Sequence, residues 1–75
     1  MDQDTVAVFG LGYVGLPLAI FCAKKRMDVI GVDIDSGKVQ LINQGRSPIE
    51  EPYIEDAFAQ GLKIRATTQA SLAKD

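Results

Sequence analysis

Three glycines and one aspartate carry the chemistry this chain could do. Gly10, Gly12 and Gly15 stand in the spacing G-x-G-x-x-G, and Asp33 follows 18 residues after the third glycine. A backbone without Cβ at Gly10 permits a tight turn. At Gly12 it admits the close approach of a pyrophosphate, and at Gly15 it lets a helix pack against a strand. The N–H groups near Tyr13 and Val14 would open that helix. Its first turn has no internal acceptors and carries the positive end of the dipole, and both features favour a phosphate. Pro17 suits the same turn, where a missing N–H costs nothing. A turn that only reverses the chain has little use for three glycines at this spacing.

Asp33 supplies the second half of the chemistry. A carboxylate at the end of a second strand can accept hydrogen bonds from both hydroxyls of an adenosine ribose. It would repel a 2′-phosphate, so the combination implies a site for NAD rather than NADP. Asp35 and Ser36 compete better for capping the helix that follows. No arginine follows Asp33 directly, and the nearest cation is Lys38, about one turn into that helix.

These residues need a strand, a helix and a second strand to hold them. Thr5–Gly10 reads as a buried parallel strand, being continuous, β-branched and aromatic. A helix is expected from about Tyr13 to Lys25, with Leu16, Ala19, Ile20, Ala23 and Met27 on its inner face. Lys24, Lys25 and Arg26 stand at its C-terminal end, where the dipole favours cations. The second strand is expected over Asp28–Asp33. A short helix over Ser36–Asn43 turns Val39 and Ile42 inward and closes at Gly45. Arg46–Ile49 is a loop. Another helix starts at Glu51-Pro52, buries Ile54, Ala57 and Phe58, and ends at Gly61. Lys63–Thr67 reads as a third strand, after which Thr68 or Ser71 could cap a further helix. The fold class is α/β: the first half of a Rossmann-like, doubly wound parallel sheet with strand order 3-2-1. The edge Val6-Ala7-Val8-Phe9 would then lack the neighbour a complete sheet provides. A bare apolar edge is an aggregation hazard. The expectation is an N-terminal part of a larger dinucleotide-binding domain, spanning residues 1–75, or a chain that pairs with another copy.

Composition narrows the classes. The chain has 75 residues, 47% of them hydrophobic, which is normal for a globular protein. Net charge is −2 with no basic cluster, which argues against nucleic acid and anionic membranes as partners. No apolar run approaches the roughly 20 residues that span a bilayer, and the acidic N-terminus lacks the basic region of a signal peptide. A single cysteine excludes an internal disulfide. Cys22 would lie about 10 Å along the helix from the phosphate end and reads as a small core hydrophobe. With no histidine in the chain, nothing suggests a His base or a metal site.

The segment Gly10-Leu11-Gly12-Tyr13-Val14-Gly15-Leu16-Pro17-Leu18-Ala19 resembles the N-terminus of the UDP-glucose/GDP-mannose dehydrogenase family, the nucleotide-sugar 6-dehydrogenases. Gly31–Asp35, Lys38-Val39, Leu41–Gly45, Ser47–Pro52 and Ala66–Thr68 match as well, so the resemblance covers nearly the whole chain. The pattern Gly45-x-x-Pro48-x-x-Glu51 discriminates better than the glycines do. The Gly-Leu-Pro-Leu-Ala continuation looks more like the branch acting on UDP-N-acetylhexosamines. The resemblance implies oxidation of a sugar C6 alcohol to a carboxylate with two NAD, through a thiol-bound intermediate. It implies that Gly10, Gly12, Tyr13, Val14 and Gly15 cradle the pyrophosphate, that Asp33 holds the ribose, and that Lys38 approaches that ribose. It also implies a UDP-sugar substrate, a homodimer, a cytoplasmic location and synthesis of surface-polysaccharide precursors. The family's nucleophilic cysteine and lysine would fall beyond Asp75, and Cys22 does not match the nucleophile's motif. No catalytic residue is therefore assigned, and by itself the chain is expected to be inactive and to hold NAD weakly. Two other readings stay open: a hydroxyacid or 6-phosphogluconate type of NAD-dependent dehydrogenase, and a non-catalytic nucleotide-binding module.

Overall fold

The computed structural model describes residues 4–69. Three parallel strands, β1 (Thr5–Phe9), β2 (Asp28–Val32) and β3 (Arg65–Thr67), form one sheet in the order β1-β2-β3. This is the expected 3-2-1 arrangement of a Rossmann-like half. Thr5 pairs with Asp28 and Phe9 with Val32, while Ile30 pairs with Arg65 and Val32 with Thr67. Helix α1 (Gly15–Lys24) connects β1 to β2; α2 (Ser36–Asn43) and α3 (Pro52–Ala59) connect β2 to β3.

One face of the sheet carries the core. Val8 and Val29 pack there with Leu16, Ala19 and Ile20 of α1, Ile42 of α2, and Ile54, Ala57 and Phe58 of α3. Alternation sends Ala7 and Phe9 to the other face, and Phe9 is largely exposed. Cys22 is a free, buried thiol inside the core cluster, as its sequence position suggested. Ala23 and Met27 pack against the cluster but stay partly exposed.

Element boundaries differ from the sequence reading where a backbone turn intervenes. β1 stops at Phe9 because Gly10 takes a positive φ of 87°. α1 begins at Gly15 because Tyr13 and Val14 form the turn that precedes it, closed by the Leu16 N–H donating to the Gly12 carbonyl at 3.0 Å. β3 starts at Arg65 rather than Lys63. The proposed cap at Ser71 and its helix lie outside the described residues.

All three helices end alike. In each, the residue after the C-cap takes a left-handed conformation, and the next N–H reaches back to a carbonyl in the last turn. Gly45 and Gly61 fill that position in α2 and α3, but Arg26 (φ 67°) fills it in α1. The lysines before it are not purely solvated. Lys24 Nζ lies 4.3 Å from the centre of the Tyr53 ring on α3, tying the two helices together.

Candidate functional site

The site sits where the carboxyl ends of β1 and β2 meet the starts of α1 and α2, the place where open α/β sheets bind ligands. Two glycines of the first turn do different jobs. A Cβ on Gly15 would lie 1.7 Å from the Gly10 carbonyl oxygen, so helix and strand turn can approach only through a glycine. A Cβ on Gly12 would meet no atom within 4 Å, and its φ is not in the left-handed region. Among the described residues nothing requires a glycine there. A requirement would come from what approaches the loop from outside.

The start of α1 has the electrostatics of an anion site. No side chain caps it, and its first turn holds no acidic residue. The N–H groups of Gly12, Tyr13 and Val14 donate to no backbone acceptor among the described residues. Tyr13 and Val14 are strongly exposed, at 73% and 84%. An open groove runs from this turn along the free edge of β1, lined by Ala7, Phe9, Gly10, Gly12, Val14 and Leu18 among others.

Asp33 is built into the same corner. Its backbone N–H donates to the Thr67 carbonyl at 3.1 Å, which anchors it to β3. One carboxylate oxygen, Oδ2, accepts the Leu11 N–H at 2.7 Å, and the other accepts the Asp35 N–H at 2.9 Å. The side chain is only 11% exposed, and Lys38 Nζ stands 3.6 Å from Oδ2. The Leu11 and Asp35 amides hold the carboxyl below its ordinary pKa. Partial burial opposes them, and the Lys38 charge adds to them. Asp33 is therefore ionised at neutral pH and oriented before any ligand arrives.

The capping role falls to Asp35, as the sequence suggested. It is the N-cap of α2 and accepts the Lys38 N–H at 3.2 Å. The seven residues singled out in the sequence thus fall into one region. Gly10, Gly12, Tyr13, Val14 and Gly15 form the turn, and Asp33 is bonded to that turn through Leu11, with Lys38 beside it.

Two structural residues of the site escaped the sequence reading. Leu11, inside the glycine motif, is fully buried. Its side chain fills the space over Gly31, where a Cβ would lie 2.7 Å from Leu11 Cδ1. A glycine within an otherwise β-branched strand was the available signal. Asn43, at the end of α2, grips the outer edge of β3. Its amide donates to the Ala66 carbonyl at 2.9 Å, and its carbonyl accepts the Ala66 N–H at 2.8 Å. Nothing local in the sequence announces that pairing across 23 positions.

Comparison with known proteins agrees with this geometry. Residues 4–75 match the model of the UDP-glucose/GDP-mannose dehydrogenase family, NAD binding domain. The chain belongs to this family. Among its relatives, the GDP-mannose 6-dehydrogenase of Pseudomonas syringae pv. tomato is 48% identical over 66 residues, covering 84% of this chain and 15% of that protein. The NDP-N-acetyl-D-galactosaminuronic acid dehydrogenase of Ralstonia nicotianae is 47% identical over 73 residues, covering 92% of this chain and 17% of that protein. Among solved structures, a ternary complex of GDP-mannose dehydrogenase from Pseudomonas aeruginosa superposes with a TM-score of 0.82 at 42% identity, over 95% of this chain and 17% of that one. A UDP-D-ManNAc dehydrogenase from Pyrococcus horikoshii gives 0.82 at 40% identity, over 93% of this chain and 18% of that one. The chain therefore spans about one sixth of the length of the curated relatives it matches, and the part it spans matches the family's NAD-binding domain model.

Proposed function

We propose that this chain supplies the pyrophosphate and adenosine-ribose half of the NAD site of a nucleotide-sugar 6-dehydrogenase. The observation that carries the reading is the 2.7 Å bond from the Leu11 N–H to Asp33. It fixes the ribose acceptor to the phosphate turn, so that one rigid corner presents amides to the diphosphate and a carboxylate to the ribose diol. Gly12 leaves the approach clear, and Gly15 keeps α1 close enough to aim its first-turn amides. Lys38 lies beside the ribose acceptor.

Bound NAD would supply the hydride acceptor. The chain's own residues bind and orient it and carry no acid, base or nucleophile for the sugar. In this reading the whole protein oxidises the C6 alcohol of a UDP-sugar to a uronic acid with two NAD. It acts as a homodimer in the cytoplasm and feeds surface-polysaccharide synthesis. Among the described residues, no helix is long and apolar enough to cross a membrane.

A full-length protein carrying this segment tests the reading. With a panel of UDP- and GDP-sugars, NADH formation should approach two equivalents per sugar for one of them. One equivalent per substrate, or turnover of a hydroxyacid instead, contradicts it.

A further inference from the structure

β2 holds the phosphate turn with three consecutive residues, and only two of the holds are polar. The Gly10 N–H donates to the Val32 carbonyl at 2.7 Å, and the Leu11 N–H donates to Asp33 Oδ2 at 2.7 Å. The third hold is a shape. Gly31 pairs with Val8 inside the sheet and brings no side chain. Leu11 fills the space left there and is fully buried. A Cβ on Gly31 would lie 2.7 Å from Leu11 Cδ1, 2.8 Å from Cδ2 and 3.3 Å from Cγ. Carbon atoms settle at about 3.5–4.0 Å, so a larger residue would drive Leu11 out by roughly 1 Å. The backbone of Gly31 does not itself ask for glycine, because its φ lies outside the left-handed region. Glycine inside a strand weakens it, and what the chain gains in exchange is the socket for Leu11. Hydrogen bonds tolerate a spread of lengths, whereas a buried side chain in a close-packed core has one seat. The residue after Leu11 is Gly12, the first of the three open amides.

Resting on the cofactor reading above, we propose that Gly31 is a positioning residue for the cofactor diphosphate. The space on β2 left by its missing Cβ seats Leu11, and that seat sets how high the Gly12, Tyr13 and Val14 amides stand over the sheet. Gly31 touches no part of the cofactor in this account and acts through Leu11 alone. The same contact fixes the Leu11 N–H against Asp33, so the phosphate turn and the ribose acceptor shift together when it is disturbed.

The test exchanges the two partners without changing what they fill. Leu11→Ala/Gly31→Val moves the bulk from the turn to the strand and keeps the number of side-chain carbons at the contact, a swap of the kind that packed cores accept. Wild type, Leu11→Ala, Gly31→Val and the double variant are titrated with NAD, and Kd is read from the amide NMR signals of Gly12 and Tyr13. Stability changes in every variant, so affinity is taken from the folded signals alone. Leu11→Ala leaves the socket empty and should weaken NAD about tenfold, and Gly31→Val about a hundredfold, the scale of a roughly 1 Å misplacement. The double variant should return to within about threefold of wild type. Ligand-free spectra give an independent readout. The Leu11 amide proton, bonded to Asp33 in wild type, should move upfield in both single variants and return in the double. Wild-type affinity in folded Leu11→Ala overturns the proposal, because the seat then serves stability alone. So does a folded double variant that binds no better than Leu11→Ala. Should Gly31→Val fail to fold, Leu11→Ala carries the decision. If wild type itself ignores NAD, the cofactor reading falls and this inference with it, whereas equal NAD binding by all four proteins overturns the inference only.

Discussion

The two turns that leave the sheet on the site side solve the same problem in opposite ways. Both join the end of a strand to the start of a helix, and both must deal with amides that have no partner in the first helical turn. At β2–α2 the chain uses its own carboxylates. Asp35 caps Lys38, and Asp33 takes the Asp35 and Leu11 amides. At β1–α1 it uses none: α1 has no capping side chain and no acid in its first turn, and Gly12, Tyr13 and Val14 leave their amides open. A closed helix start beside an open one, joined by the Leu11–Asp33 bond, is the arrangement that the proposed phosphate site requires. A purely structural connection would be capped at both.

Substitutions that break this contrast should differ widely in cost. Gly15→Ala is the most severe, because its Cβ would overlap the Gly10 carbonyl at 1.7 Å. Backbone on both sides cannot yield cheaply, so a loss of about 3 kcal/mol or more is expected. A domain of this size has little to spare, and the amide spectrum should collapse. Asp33→Ala leaves the Leu11 and Asp35 amides without their acceptor and should cost about 2 kcal/mol in urea unfolding. The same residue has a pH signature. Its folded-state pKa lies below the ordinary 3.8, so its contribution is complete above that value and is lost as pH falls through the folded-state pKa. Wild-type stability should therefore fall in that acid range by a component that Asp33→Asn lacks.

Asp35→Ala removes only a cap and should cost about 1 kcal/mol while leaving nucleotide affinity nearly intact. Gly12→Ala has the smallest effect on stability and sharpens the comparison most. A Cβ there meets nothing within 4 Å among the described residues, so unfolding should be unchanged or improved by less than about 1 kcal/mol. NAD binding should nevertheless be lost. A Gly12→Ala chain that binds NAD as wild type does would show that the turn is not reserved for phosphate.

The sequence revealed the open turn more fully than the closed one. Glycine spacing encodes what backbone geometry demands, and it placed Gly10 and Gly15 where φ and contact distance require them. Asp33 and the cap Asp35 were legible because strand ends and helix starts have local rules. What could not be read were contacts set by tertiary approach. Leu11 looks like a spacer in a loop, yet it is fully buried over Gly31. Asn43 looks like a helix-end polar residue, yet its amide pairs with both backbone groups of Ala66 on the edge of β3. The left-handed Arg26 went unseen because its neighbours in α2 and α3 use glycine at the same position. The bonding of Asp33 to Leu11 joins residues 22 apart and is a property of the folded sheet alone.

The most direct test of the open and closed turns is an NAD titration of the chain, followed by ¹⁵N–¹H spectra. The largest shifts are expected at Gly12, Tyr13 and Val14, with a clear shift at Leu11 where the two turns meet and little change at the amides inside α2 that Asp35 already caps. Shifts concentrated on α2 or α3, or a dispersed spectrum that NAD leaves untouched, would contradict it.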